Sequence, residues 1–460
     1  MEYLEFLRKK SIQVNTSGFD IDKADLNPML FEFQRDIVRW ALKKGKAAIF
    51  ADCGLGKTPM QIEFGRQVHK RTGGNVLIIA PLAVSQQTGR EGKKFGIDVN
   101  ICRKQQDVKQ GINITNYEMI DHFDIDTFAC VVLDESSILK GFDRHYSQTL
   151  IEKCANVPYK LSCTATPCPN DYMELGTQCE WLGVMSRMEM LATFFIHEGS
   201  DTAKWRLKGH AEDMFWEWVA SWAVALQKPS DIGYDDDGFI LPKLHMHEVI
   251  VESPKNPYCL FVDVARTMNE RRQARKDSLE NRVKKAAEFV NGSNEQWLVW
   301  CDLNAESELL KKAIPDAVEV SGSDKTEHKE KAAIDFATGS IRVIVSKPSI
   351  FGWGINWQNC SNMVFVGLSD SYEQLRQAIR RCWRFGQTKE VHCYIVISES
   401  EGAVKANIER KEADTERMIA EMVKHAQKIL TEEIHGTSRE KEEYNPQVEM
   451  ILPDWLEVST

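Results

Sequence analysis

The chain has 460 residues, enough for two or three hydrophobic cores of ordinary size. Apolar residues make up 43% and charged residues 27%, which excludes a largely disordered chain, and no run of 18 apolar residues offers a membrane-spanning helix. A formal net charge of −10 excludes a uniformly basic surface, so any polyanion must sit in a local basic cleft. Lys93-Lys94, Arg271-Arg272 to Lys276, Lys284-Lys285 and the cluster Arg380, Arg381 and Arg384 are the local sources of positive charge.

Residues 1–28 read as an N-terminal extension without a secretory apolar core, so a soluble cytoplasmic protein is expected. Residues 29–175 read as a first core. Its apolar run Ala47 to Phe50 leads straight into Asp52-Cys53-Gly54-Leu55-Gly56-Lys57-Thr58. Glycines there let the backbone curl so that its N–H groups face phosphate oxygens, and a following helix start adds unsatisfied donors. Lys57 can reach the β- and γ-phosphates, and Thr58 offers a hydroxyl to Mg²⁺. Position 51 is Ala rather than the glycine of the full phosphate-loop pattern.

Strands are expected at Val76 to Ala80, Ala129 to Leu133 and Val157 to Ser162. The second closes on Asp134-Glu135. Asp134 can hold Mg²⁺, and Glu135 can act as base or position a water for attack on the γ-phosphorus. Gln34, about 20 residues before the glycine loop, offers both an amide donor and an acceptor to adenine.

Residues 176–250 read as a helical, Trp-rich insertion. Asp213 to Leu226 has the apolar stripe of a helix, stopped by Pro229 and the turn Asp235 to Gly238. Trp181, Trp205, Trp216, Trp218 and Trp222 are expected to pack that insertion, with base stacking as the alternative. Residues 251–402 form a second core, opened by a charged helix over 265–290, with strands at Trp297 to Trp300, Val343 to Val345, Met363 to Val366 and Val391 to Ile397. Glu373 to Cys382 reads as a helix that would carry Arg381 and Arg384 on the Gln377 face. Arginine is permanently charged, and its planar fork suits phosphate. Residues 403–460 read as a charged helix and a tail. The fold class expected is α/β: two tandem RecA-like P-loop cores with a helical insertion between them. Twelve cysteines without C-x-x-C spacing read as reduced thiols in the cores.

Taken in order, these motifs resemble the superfamily-2 helicases, in particular their Snf2-like branch of duplex DNA translocases, of a small viral or bacterial type. The resemblance covers roughly residues 29 to 400. Gln34 is similar to the adenine-reading Gln of that family, and Ala51 to Thr58 to its phosphate loop, with Gly54, Leu55 and Gly56 at the nucleotide. Ala80 to Val84 and Ile114 to Glu118 resemble backbone-contact motifs, and Leu133 to Ser137 the DEAH-like box. Ser162 to Pro167 resembles the motif coupling hydrolysis to nucleic acid. Ser349 to Asn359, with Gly354 and Asn356, resembles the ATP-side loop of the second core, and Gln377 to Gln387 the arginine-finger motif.

The resemblance implies ATP and Mg²⁺ as cofactors, and as partner a DNA, expected to be duplex and bound by a monomer. A protein partner is expected at the insertion or C-terminal helix. The departures are Ser137 for a His, Trp383 for a His and Arg380 for an acid. With that His absent, Ser137 together with Thr164 and Thr166 is expected to carry the coupling through hydroxyls. The alternatives are a strand-separating DNA or RNA helicase, and an ATP-gated clamp or motor subunit of a larger complex.

Overall fold

The computed structural model describes residues 16–140, 145–168, 171–198, 201–252, 275–351, 355–369, 371–399 and 402–434. Gly354, Arg271-Arg272, residues 1–15 and the expected tail from 435 onward lie outside the described residues. In chain order the first part holds α1 (Glu32–Lys44), β1 (Lys46–Ala51), α2 (Lys57–Thr72), β2 (Asn75–Ala80), α3 (Ser85–Lys94), β3 (Val99–Ile101), β4 (Ile112–Asn116) and β5 (Phe128–Asp134). It continues with α4 (His145–Lys153), β6 (Tyr159–Thr164), α5 (Leu175–Leu182), α6 (Arg187–Phe194), β7 (Phe195–Glu198), β8 (Asp201–Leu207), α7 (Glu212–Ala220) and β9 (Ala223–Leu226).

These strands form a 7-stranded sheet in the order β3-β4-β2-β5-β6-β1-β9, with β7 and β8 apart as an antiparallel hairpin. Among the described residues, the strand pairings in this sheet are parallel. Parallel strands need helical crossovers, and those helices cover both faces, which is why β1, β2 and β5 are apolar on both sides. Ile49, Ile78 and Val132 pack into one face's core, and Phe50, Leu77 and Val131 into the other's. Each such side chain contributes about 1.5–3 kcal/mol by leaving water.

The second core holds β10 (Leu244–Val251), α8 (Leu279–Asn291), β11 (Trp297–Trp300), α9 (Asn304–Ala313), β12 (Ala317–Val320), α10 (Thr326–Ala337), β13 (Val343–Ser346), α11 (Pro348–Phe351), β14 (Asn362–Val366), α12 (Tyr372–Ile379) and β15 (Val391–Ser398). Its strands form a second, 6-stranded parallel sheet in the order β10-β15-β14-β11-β13-β12. The fold is therefore two tandem RecA-like α/β cores, with α5–α7 and the hairpin inserted between β6 and β9 of the first. A last helix, α13 (Gly402–Ile434), gives Val404 and Ile408 to the second core and Met418, Ile419 and Met422 to the first.

Three expectations are corrected. The stripe over Asp213 to Leu226 is not one helix. α7 ends at Ala220, and Ala223–Leu226 is the edge strand β9, paired in parallel with β1. Residues 244–250, placed in the insertion, lie in β10 of the second sheet. The helix expected from Glu373 to Cys382 starts at Tyr372 and stops at Ile379, where the backbone leaves helical geometry at Arg380. Trp181, Trp216 and Trp222 are fully buried and Trp218 nearly so, the packing role expected for them.

Candidate active site

The glycine loop follows β1 at the end of the sheet where strands point into the cleft between cores. Gly56, at φ +78°, caps α2, and a Cβ there would lie 2.2 Å from the Gln34 amide nitrogen. Gln34 is buried at the start of α1. Its Nε2 donates to the Leu55 carbonyl at 2.9 Å, and its Oε1 accepts from Phe31 N–H at 3.0 Å. Gln34 thus fixes the loop, with Phe31, Phe239 and Phe385 gathered nearby at ring separations of 5.0 to 6.3 Å. Gly54, at φ +95°, faces the second core: a Cβ there would sit 3.0 Å from the Phe385 backbone nitrogen.

Lys57, in the first turn of α2, donates from Nζ to the Ala51 carbonyl at 2.9 Å, and Thr58 is half-buried beside it. Across the sheet β5 delivers Asp134 and Glu135. Gln61 Nε2 donates to Asp134 Oδ1 at 2.7 Å, and the Tyr117 hydroxyl donates to the Asp134 carbonyl at 2.6 Å. Glu135 stands at φ +54°, a left-handed conformation that costs any residue other than glycine energy. Burial raises the Asp134 pKa against the Gln61 hydrogen bond and Lys57. Burial also pushes Glu135 up to about 7; Asp134 adds to the rise, and Lys57 and Arg381 oppose it.

From Glu135 a polar chain crosses to the second core. Thr164 Oγ1 donates to Glu135 Oε2 at 3.3 Å, Thr166 N–H donates to Thr164 Oγ1 at 3.1 Å, and Thr166 Oγ1 donates to Glu373 Oε1 at 3.3 Å. Glu373, on α12, also pairs with Lys140 of the first core. Hydroxyls thus link the carboxylate pair to the other lobe. Ser137, expected to share this role, is buried nearby, but its side chain makes no hydrogen bond among the described residues. Ser136 is instead held by Ser162 and Gln178.

The arginines divide into two groups. Arg376 and Arg380 both bind Asp52, Arg376 at 3.1 Å, all three largely buried. Burial works to raise the Asp52 pKa, but Arg380 and Arg376 outweigh it and hold the carboxyl below its usual range. Arg380 also lies 4.2 Å over the Trp383 ring. By contrast, Arg381 and Arg384 make no ion pair among the described residues. Arg381 donates to the Gln377 carbonyl, the Gln377 side chain and the Ile355 carbonyl, and Arg384 to the same Ile355 carbonyl at 3.3 Å. Burial lowers the pKa of both, that of Arg384 to about 10 with Arg381 adding to the fall.

Asn356, next to Ile355, has a buried Oδ1 without a partner, as does Gln377 Nε2. Lys57, Arg381 and Arg384 are thus cations served only by neutral groups, beside two carboxylates raised by burial. Such a set can take a polyanion together with a divalent cation. A cavity of about 890 Å³ opens on the other side of the glycine loop, lined by Asp52, Leu55, Phe239, Tyr372 and Phe385. It does not reach Lys57, Asp134 or Glu135, so the chemistry is not centred in it.

Residues 279–386 match the helicase conserved C-terminal domain. The match runs from α8 through the arginine-bearing turn, so the second core is helicase-like in sequence as well as in fold. This match supports a superfamily-2 helicase-like protein and points to the ATP-driven, nucleic-acid-related chemistry of helicase families. Among curated proteins, none matches the chain. Sequence reasoning named Arg380 only as part of the basic cluster with Arg381 and Arg384, and missed Asp52, Arg376 and Glu373 as functional candidates. The acid inside a glycine loop and the basic run on α12 were visible signals, but only the closed cleft pairs them.

Proposed function

We propose that this chain is a Snf2-like motor that hydrolyses Mg-ATP and uses the cycle to move along, or remodel, double-stranded DNA. The observation that supports it best is the charge arrangement at the lobe junction: Lys57, Arg381 and Arg384 lack carboxylate partners while Glu135 is raised to about 7 beside them. Lys57 and the N–H groups of residues 54–58 hold the phosphates. Arg381 and Arg384 face the terminal phosphoryl from the second lobe, and Gln34 sets the loop beside the base. Thr58 and Asp134 would hold Mg²⁺, which when bound neutralises phosphate charge and lowers the barrier to displacement. Glu135 takes the proton of the attacking water, and Thr164, Thr166 and Glu373 carry the change to α12. Asn356 belongs to the same nucleotide-facing loop. The units assigned are a first core from residue 29 that closes with edge strand β9, the insertion α5–α7 within it, and a second core that opens with β10.

We read the protein as a cytoplasmic monomer of bacterial or viral type. No helix among the described residues is long and apolar enough to cross a membrane. The test measures ATP turnover with single-stranded DNA, duplex DNA and RNA, beside triplex displacement and forked-duplex unwinding. Stimulation by duplex with triplex displacement is expected. Robust unwinding without displacement would overturn the duplex-motor reading in favour of a strand-separating helicase, for which the β7–β8 hairpin is the candidate wedge. ATP binding without turnover under every condition would leave only a clamp or a motor subunit awaiting its complex.

A further inference from the structure

Away from the cleft, one face of the second sheet carries a row of imidazoles. β10, an edge strand, pairs with β15 so that His245 lies beside His392, with their rings stacked at 4.8 Å and 11°. His245 Nε2 is 2.8 Å from Glu390 Oε2, and His247 Nε2 is 3.1 Å from His392 Nδ1. Tyr394 stacks on His247 at 4.6 Å, and Phe289 on Tyr394 at 4.7 Å, so the row is walled on one side and open on the other.

We propose that His245, His392 and Glu390 form a binding site for a divalent transition metal, with His247 orienting His392. This goes beyond the ATPase reading and does not depend on it. One ligand atom from each of the three lies within 4.8 Å of the others. Around a tetrahedral ion with bonds of about 2.0–2.2 Å, ligand atoms stand roughly 3.3–3.5 Å apart. Small side-chain rotations bridge the difference, and both His245 and Glu390 have the exposure to make them.

The second hydrogen bond makes this more than a surface ion pair. When His247 accepts, the His392 proton resides on Nδ1 and the lone pair on Nε2, the tautomer a metal requires. Such an outer partner is the usual support of a metal-bound histidine. For His245, the proton that faces Glu390 from Nε2 has to move to Nδ1, which frees the Nε2 lone pair without loss of a proton. Two imidazoles and one carboxylate select zinc, nickel or iron(II) over magnesium, which takes oxygen ligands. The ion would bind the first strand after the lobe connection to the strand that follows the arginine turn.

The test uses the full chain stripped with a chelator, then titrated with Zn²⁺ against a chromophoric competitor. The number of tight equivalents is compared between wild type, His245→Asn, His392→Ala and Glu390→Gln, with His210→Ala as an exposed control. One equivalent fewer in each ligand variant and none lost in the control is expected. His247→Phe, which keeps a stacked ring, should retain the equivalent but bind it about 10- to 100-fold more weakly. Co²⁺ at that equivalent should show visible bands without thiolate charge transfer. The same count in all proteins, or an equal loss in His210→Ala, overturns the site. If the metal-free melt shows that His392→Ala misfolds, Glu390→Gln decides, because it changes one atom at a side chain 61% exposed.

Discussion

The grip of the second lobe on the glycine loop rests on one carboxylate, and its removal from charge balance has a calculable effect. Asp52 is 7% exposed, and Arg376 and Arg380 are 12% and 11% exposed, so solvent does little to screen them. Replacing both arginines with Gln leaves a buried, uncompensated carboxylate, which costs about 3 kcal/mol. That cost applies only while the lobes are together, because opening hydrates Asp52. At about 1.4 kcal/mol per decade, the open fraction rises roughly 100-fold. Cys53 reports it. The neighbouring thiol is half-buried, and its Sγ lies 3.7 Å from Gln377 Oε1 of the second lobe.

Alkylation of Cys53 by iodoacetamide, followed by mass spectrometry of the peptide in nucleotide-free protein, should therefore accelerate about 100-fold. Losing two cations disfavours the reactive thiolate, so electrostatics alone would slow the reaction. Adding Asp52→Asn to the same protein should restore most of the slow rate. Alkylation within about twofold of wild type would refute the clamp, since ~3 kcal/mol cannot be hidden there.

Four further outcomes follow from the site. Lys57→Ala should abolish nucleotide binding, read by a fluorescent ATP analogue, because the remaining N–H donors carry no full charge. Arg384→Ala should bind ATP with little change and lose about 1000-fold in polymer-stimulated turnover, the scale of an arginine finger; normal turnover removes its assigned role. Thr166→Val, which cuts the bond to Glu373, should leave basal ATPase within a few fold while polymer stimulation falls; equal loss of both would make the hydroxyl chain merely structural. The Glu135 carboxyl has its pKa raised to about 7 when folded, against 4.5 unperturbed, so the folded state binds the extra proton between those values. Stability should fall as pH rises from about 4.5 to about 7, by at most ~3 kcal/mol, and Glu135→Gln should flatten that slope in chemical denaturation without Mg²⁺ while also stopping turnover.

Much of the fold is legible locally. Seven strands read as short apolar runs lie where expected, because parallel strands covered on both faces must be apolar throughout. β9 was not legible: Ala223–Leu226 is four apolar residues directly after an amphipathic helix, and periodicity cannot tell so short a run from the helix continuing. β10 alternates exposed and half-buried residues at a sheet edge, with histidines where apolar residues would announce a strand. In the site, Lys57, Asp134 and Glu135 were readable because each chemistry sits within a few residues of a strand end. The Asp52 clamp was not, since its partners lie 324 and 328 residues away and nothing local to Asp52 names them.

The two charge imbalances at the junction have opposite signs and do not cancel. Lys57, Arg381 and Arg384 donate to carbonyls, although Asp134 and Glu135 lie close enough for Lys57 and Arg381 to influence the Glu135 proton. Direct pairing would relieve both sets, yet Asp134 Oδ1 accepts from Gln61 and Glu135 Oε2 accepts from Thr164 instead. A simple anion would settle the cations and raise the carboxylates further. A simple divalent cation would settle the carboxylates and leave the arginines as they are. Only a polyanion that brings its own divalent cation satisfies both, and because the cations come from two lobes, it satisfies them fully only with the lobes closed. On the function proposed above, hydrolysis would divide that polyanion, and the arrangement would tie the charge state of the nucleotide to the separation of the lobes without any further device.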